Sequence, residues 1–251
     1  MIFRYFILII SFFSLVSCGS YYRSDVFQKK YTQWKSDETE DFNIFYKENS
    51  LASKDPLLSE ILQNSWKKAQ QKAKIFPKNQ KKFHLYIVDN AKEIKELDGE
   101  LFNGLTYSKS NTIIQVYEMR FRTHEFNHLL MIQHFGKSKT WLQEGAAVWS
   151  DSIYRKMEIN ALAHYLWKNS KTISIADLMN NRKFSKQKSA YTYPQAGSLV
   201  SYIIKKFGYE KFTEVWQKKS IKSLNISVEQ LEKDWLDYIK TFSTEKINYP
   251  Y

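Results

Sequence analysis

The chain has 251 residues, 43% of them hydrophobic and 16% aromatic, enough apolar side chain for a sizeable core and too much for a disordered polypeptide. Lysine and arginine number 38 against 26 aspartates and glutamates, a formal net charge of +12. The lysines are scattered from Lys67 to Lys82 and again from Lys183 to Lys240, with no arginine cluster interleaved with stacking aromatics, so they read as solvated helix faces and no nucleic-acid partner is expected.

In chain order, residues 1–17 carry Arg4, an almost wholly apolar run from Tyr5 to Phe13, and then Ser14-Leu15-Val16-Ser17. The run is too short to span a bilayer and reads as the apolar part of a signal peptide. Leu15-Val16-Ser17-Cys18 resembles the bacterial lipobox, which implies lipidation of Cys18 and a lipid anchor on the periplasmic or extracellular face of a bacterial envelope membrane. Cys18 is the sole cysteine, so no internal disulfide forms. No later stretch is long and apolar enough for a transmembrane helix. Residues 18–40 are polar and aperiodic, a tether; residues 41–242 read as one domain, and 243–251 as a C-terminal tail.

Phe42 to Tyr46 alternates as a strand. Leu57, Leu58, Ile61, Leu62, Trp66 and Ala69 recur at helical spacing between Ser53 and Lys74. Lys82 to Asp89 predicts a half-buried strand from which His84 points outward, and Asn90 caps a short helix to Leu97. Phe102 to Tyr107 and Thr112 to Tyr117 form a hairpin whose second strand leads to the next helix, where an edge strand can hold an extended peptide. That helix runs from Arg120 to about His134 and ends at Gly136. A helix follows from Trp141, with small Gly145, Ala146 and Ala147 permitting close packing on the preceding one. The rest is mostly helical: Asp151 to Asn169, Pro194 to Phe207, Tyr209 to Ser220 and Val228 to Phe242, with an exposed loop from Asn180 to Lys188.

One stretch carries chemistry. Thr123-His124-Glu125-Phe126-Asn127-His128 reads His-Glu-x-x-His in an apolar run. On a helix His124 and His128 lie about 40° apart, so both imidazoles can reach one metal ion. Glu125 points about 60° from His128, placed to act as base on a metal-bound water. Catalytic zinc takes three protein ligands and keeps one position open. His134 lies six residues past His128, but nothing there breaks the helix, and a continuous helix turns it about 120° away. Glu144, 16 residues past His128 on the next helix, returns toward the pair if the two helices are antiparallel and gives a His2Glu centre. Asn127, Ser150 and Asp151 are candidates to orient the histidines.

His124-Glu125-x-x-His128 followed by Trp141-Leu142-x-Glu144-Gly145-x-Ala147 resembles the peptidase MA-like gluzincins. The likeness reaches back to Phe83–Val88 and Gly104–Val116, and forward to Tyr193-Pro194-Gln195-Ala196-Gly197 and Trp235-Leu236-x-Tyr238, roughly residues 42 to 240. It implies an α+β, zincin-like fold: a small N-terminal mixed sheet with helices, a mainly helical C-terminal lobe, and the active site between. It also implies one Zn2+ per chain on His124, His128 and Glu144, Glu125 as general base, and a tyrosine stabilising the oxyanion, Tyr193 or else Tyr191. The spacing from His128 to Glu144 is shorter than in the best-known gluzincins, and no exopeptidase signature is recognisable. The expected function is a membrane-anchored zinc metallopeptidase acting on a peptide or protein. The alternative is a non-catalytic envelope lipoprotein that binds a protein or cell-wall partner through the same fold.

Overall fold

The structure is a computed structural model that describes residues 34–77, 81–99, 101–247 and 249. The signal segment 1–17, Cys18 and most of the expected tether lie outside the described residues. No helix among the described residues is long and apolar enough to cross a membrane.

Five strands form one mixed sheet: β1 (Trp34–Glu38), β2 (Phe42–Lys47), β3 (Phe83–Val88), β4 (Gly104–Tyr107) and β5 (Thr112–Val116). Their order is β1-β2-β3-β5-β4; β2, β3 and β5 are parallel, and the two outer strands run antiparallel to their neighbours. β1 lies within the span read as a tether. Its four residues after Trp34 are exposed, so no alternation betrays it; Trp34 packs edge-on against Tyr86, and Asp37 accepts from the Tyr46 hydroxyl.

β3 is buried on both faces, not one. Phe83, Leu85 and Ile87 face the main core, whereas Tyr86 and Val88 join Ile94 of helix α2 (Ala91–Asp98) on the other side. His84 therefore sits half-buried beside Phe45, and burial lowers its pKa. The hairpin strands also exchange their expected places. β5, whose five residues are all buried, is interior, and β4 is the edge.

Helix α1 (Leu58–Ala73) buries Leu58, Leu62, Trp66, Ala69 and Ala73, one stripe at helical spacing. Trp66 meets Phe83 of the sheet and Phe126 of helix α3 (His124–Phe135), with ring centroids 5.0 and 5.7 Å apart. This aromatic contact seats the motif helix on the sheet. α3 starts at His124, four residues later than its pattern suggests. Before it, Tyr117–Met119 forms a 3-10 turn, and Arg120 is tied 3.3 Å from Asp55.

Gly136, at φ +78°, ends α3 and turns the chain into α4 (Thr140–Asp151). The turn is fixed from outside, because the Trp216 indole N–H donates to the Gly136 carbonyl (2.8 Å). The small residues of α4 do more than meet α3. A Cβ on Gly145 would lie 2.8 Å from the Ala196 carbonyl oxygen, and one on Gly197 would lie 2.6 Å from a Val148 methyl. Both glycines serve the crossing of α4 with the long helix later in the chain. Gly145→Ala should therefore cost about 1–3 kcal/mol, because the blocking atom is backbone inside a packed helix. Thermal melting of the variant checks this; an unchanged midpoint would show that the helices can separate freely.

After α4 the expected helix is interrupted by a hairpin, β6 (Ile153–Tyr154) and β7 (Met157–Glu158), before α5 (Ile159–Lys168). Short helices α6 (Ile175–Leu178) and α7 (Asn181–Lys186) follow; the latter occupies the segment read as a loop. α8 spans Ser189–Phe207, so Pro194 lies inside it and not at its start. Proline leaves the carbonyl four residues earlier without its helical donor. That carbonyl, of Ala190, accepts from the Tyr249 hydroxyl at 2.9 Å. α9 (Tyr209–Lys218) and α10 (Val228–Ile239) complete the helical part.

Candidate metal centre

α3 and α4 lie antiparallel. The Thr123 N–H and hydroxyl, just ahead of α3, both donate to an Asp151 carboxylate oxygen near the end of α4 (2.7 and 2.9 Å). That pairing sets the axial register and brings Glu144 level with His128. The Nε2 atoms of His124 and His128 are 3.2 Å apart, and a Glu144 oxygen lies 3.5 Å from the first and 3.6 Å from the second. Four donors placed tetrahedrally at 2.0–2.1 Å from a zinc-sized ion would be about 3.3 Å from one another. The triangle fits that spacing, and these three residues form a group that can hold a metal ion.

The electrostatics point the same way. Burial opposes charge on His124. A hydrogen bond donated to the Glu144 carboxylate and the charges of Glu125, Glu144 and Asp151 outweigh it and raise the His124 pKa to about 9. Burial likewise opposes charge on Glu144, yet the two histidines hold its carboxyl far below the usual range. The protein thus keeps a partly buried carboxylate ionised between two imidazoles, a negative site that favours a proton or another cation there.

The other expected residues separate clearly. His134 is exposed in the last turn of α3 and takes no part in the cluster. Tyr193 lines the same cavity as His124, Glu125, His128 and Glu144. Its ring sits between Tyr154 and Phe184, with centroids 6.1 and 6.0 Å away. Burial, then the Glu144 carboxylate and Tyr154, push its pKa upward, so the phenol stays protonated and can donate. Tyr191, about 200° away round α8, packs into the core and does not line the cavity. Asn127 is fully buried, and neither of its amide atoms bonds a histidine ring or any other group among the described residues. Of the three candidates for orienting the histidines, Ser150 and Asp151 grip the start of α3, Ser150 through the Thr123 hydroxyl at 2.7 Å.

Three neighbours were not foreseen. The Thr106 hydroxyl on β4 donates to the Glu125 carboxylate at 2.7 Å. Gly104, two residues earlier on the same strand, leaves room for that carboxylate; a Cβ there would collide with it. Tyr154 enters the cavity from the unpredicted hairpin. Nothing local in Gly104-Leu105-Thr106 announces a partner 19 residues on; only the pairing of β4 beside α3 does.

The cavity has a volume of about 1100 Å³. One wall is the edge strand β4, and the other is built from α3, α4, the β6–β7 hairpin and the start of α8. α7 contributes no residue to its lining. No protein-family model matches this chain, and comparison with curated proteins gives no match.

Proposed function

We propose that the chain is a zinc-dependent metallopeptidase with a zincin-like fold of gluzincin type, tethered to a bacterial envelope membrane through lipid on Cys18. The observation that carries this reading is the convergence of two imidazoles and a carboxylate, 3.2 to 3.6 Å apart, beside a separately held second carboxylate. His124, His128 and Glu144 would hold the ion. When bound, zinc lowers the pKa of a coordinated water to about 7 and polarises a carbonyl.

The protein's own groups supply the rest. β4 is hydrogen-bonded on one side only among the described strands, so its outer edge can align an extended peptide by strand addition. Glu125 takes a proton from the attacking water and returns it to the departing amine. The protonated Tyr193 donates toward the carbonyl oxygen as negative charge develops there. Thr106 positions the base, and the space at Gly104 lets the carboxylate approach. A protein that only bound a partner through this fold would have no chemical need for that arrangement, which weighs against the non-catalytic alternative.

The direct test compares metal-free and zinc-loaded protein on a broad peptide mixture, with new termini read by mass spectrometry. Zinc-dependent cleavage is expected; an intact mixture with loaded protein would refute the reading. The support for Glu125 is separable. Thr106→Val removes a hydrogen bond to a charged group, worth about 1.5–3 kcal/mol, and should lower kcat roughly 10- to 100-fold at unchanged metal content. Thr106→Ser should restore most of the rate and the wild-type pH profile. A valine variant with normal kcat would show that Thr106 does not position the base.

A further inference from the structure

We infer that the cleft selects acidic polypeptides, a claim about substrate class that rests on the peptidase reading. Cations reach the cavity from four separate segments: Lys109 in the turn between β4 and β5, Arg122 just before α3, Lys137 just after it, and Arg155 with Lys156 at the tip of the β6–β7 hairpin. Among the described residues, none of the five forms an ion pair; Arg155 instead lies over the Tyr154 and Tyr249 rings. The acids lining the same cavity are Glu118, Glu125, Glu144 and Asp151. With a divalent ion at the metal centre, these five cations and the two charges of the ion outnumber the four carboxylates, seven to four. The remaining field is positive, and a low-dielectric cleft concentrates it.

The hairpin supplies a second, independent observation. Its loop has two residues, Arg155 and Lys156, between paired Tyr154 and Met157. Both have positive φ, 46° and 69°. Such a turn favours Asn-Gly, because an L side chain in this region crowds the backbone. Two long cationic side chains therefore occupy the positions where local geometry least favours them, at the mouth of the cavity. Strain retained at a ligand-facing position points to a use for the side chains. Tyr154, on the same hairpin, already touches Tyr193, so the strained tip belongs to the wall of the site. An extended peptide along β4 presents its side chains alternately to the two faces of the sheet, and its carboxylates enter a cleft lined by these cations.

Three fluorogenic peptides with one apolar scaffold, flanked by acidic, serine or lysine residues, test the inference on the zinc-loaded full chain. The acidic peptide should have a KM about 10-fold below that of the lysine peptide, since each exposed pair contributes roughly 1.4- to 5-fold. The advantage should shrink as salt rises from about 0.05 to about 0.5 M. The double variant Arg155→Asn/Lys156→Gly installs the favoured turn. It should melt at a higher temperature, keep its metal, and lose several-fold of the acidic preference in KM with kcat little changed. Equal KM for the three peptides, or a variant that keeps the full preference, overturns the inference. Tighter binding of single-stranded RNA than of the acidic peptide does the same. Should the loaded wild type cleave none of the three, the peptidase reading falls. Fluorescence anisotropy with the same peptides then decides the charge claim alone: acidic-over-lysine binding upholds it, and indifference overturns it.

Discussion

Glu144→Ala is expected to weaken zinc binding by more than 100-fold. Loss of a group that merely orients a ligand costs roughly 10- to 100-fold in metal affinity, and Glu144 is itself one corner of the donor triangle. The variant also changes the proton balance. In the metal-free protein His124 keeps its proton to about pH 9, so a metal ion binding at pH 7 must displace it. Glu144 adds no proton to that release, because its carboxyl is already ionised. With Glu144 gone, the hydrogen bond that does most to offset burial of the His124 charge is lost, and fewer protons should leave on binding. Titration calorimetry in two buffers of different ionisation enthalpy reads both effects. The same pair sets the pH dependence of metal-free stability. The raised His124 contributes fully below its unfolded value of about 6.5 and loses its contribution as pH rises through about 9. The depressed Glu144 contributes above about 4.5 and loses its contribution as pH falls. Metal-free wild type should thus be best stabilised by this pair between about pH 4.5 and 6.5, and Glu144→Ala should flatten that maximum. His134→Ala should leave affinity and proton release unchanged, since the ring is exposed and outside the cluster. The reverse pattern would move the third ligand to His134.

The histidine pair of the candidate metal centre was legible because its geometry is local. Two histidines four apart need only a helix, and α3 owes its seat to aromatic residues whose spacing also shows in the sequence, Trp66 and Phe126 among them. Glu144 required one further step, an antiparallel return, which a glycine stop and a second apolar helix supply. What stayed hidden depends on contacts between distant parts of the chain. Arg155-Lys156 carries no turn signal, so the hairpin it forms read as helix. Pro194 reads as a helix start, and the Ala190 carbonyl that it leaves without a helical donor accepts from the Tyr249 hydroxyl, 59 residues away. β1 shows no alternation because it buries little. Thr106 is an ordinary strand threonine until the sheet order makes β4 the edge beside Glu125.

Glu125→Gln should leave one metal ion per chain and reduce hydrolysis by about 10²- to 10⁴-fold, the range that a positioned general base contributes. The replacement is nearly isosteric, and three observations argue that the site survives it. Glu125 is not among the three clustered donors. Its carboxylate lies against the backbone at Gly104, where an amide of the same shape fits. The Thr106 hydroxyl that now donates to the carboxylate can donate equally to the amide oxygen. What the amide lacks is an ionised oxygen able to accept and return a proton. The charge of Glu125 also helps to hold the His124 proton, so its removal should lower the His124 pKa and make metal binding less dependent on pH near neutrality, the opposite of a loss of the site. Metal content by mass spectrometry, zinc affinity across pH 6 to 8 and peptide turnover separate the two roles. A variant that binds zinc normally but cleaves at the wild-type rate would remove Glu125 from the chemistry and leave the metal centre without an assigned base.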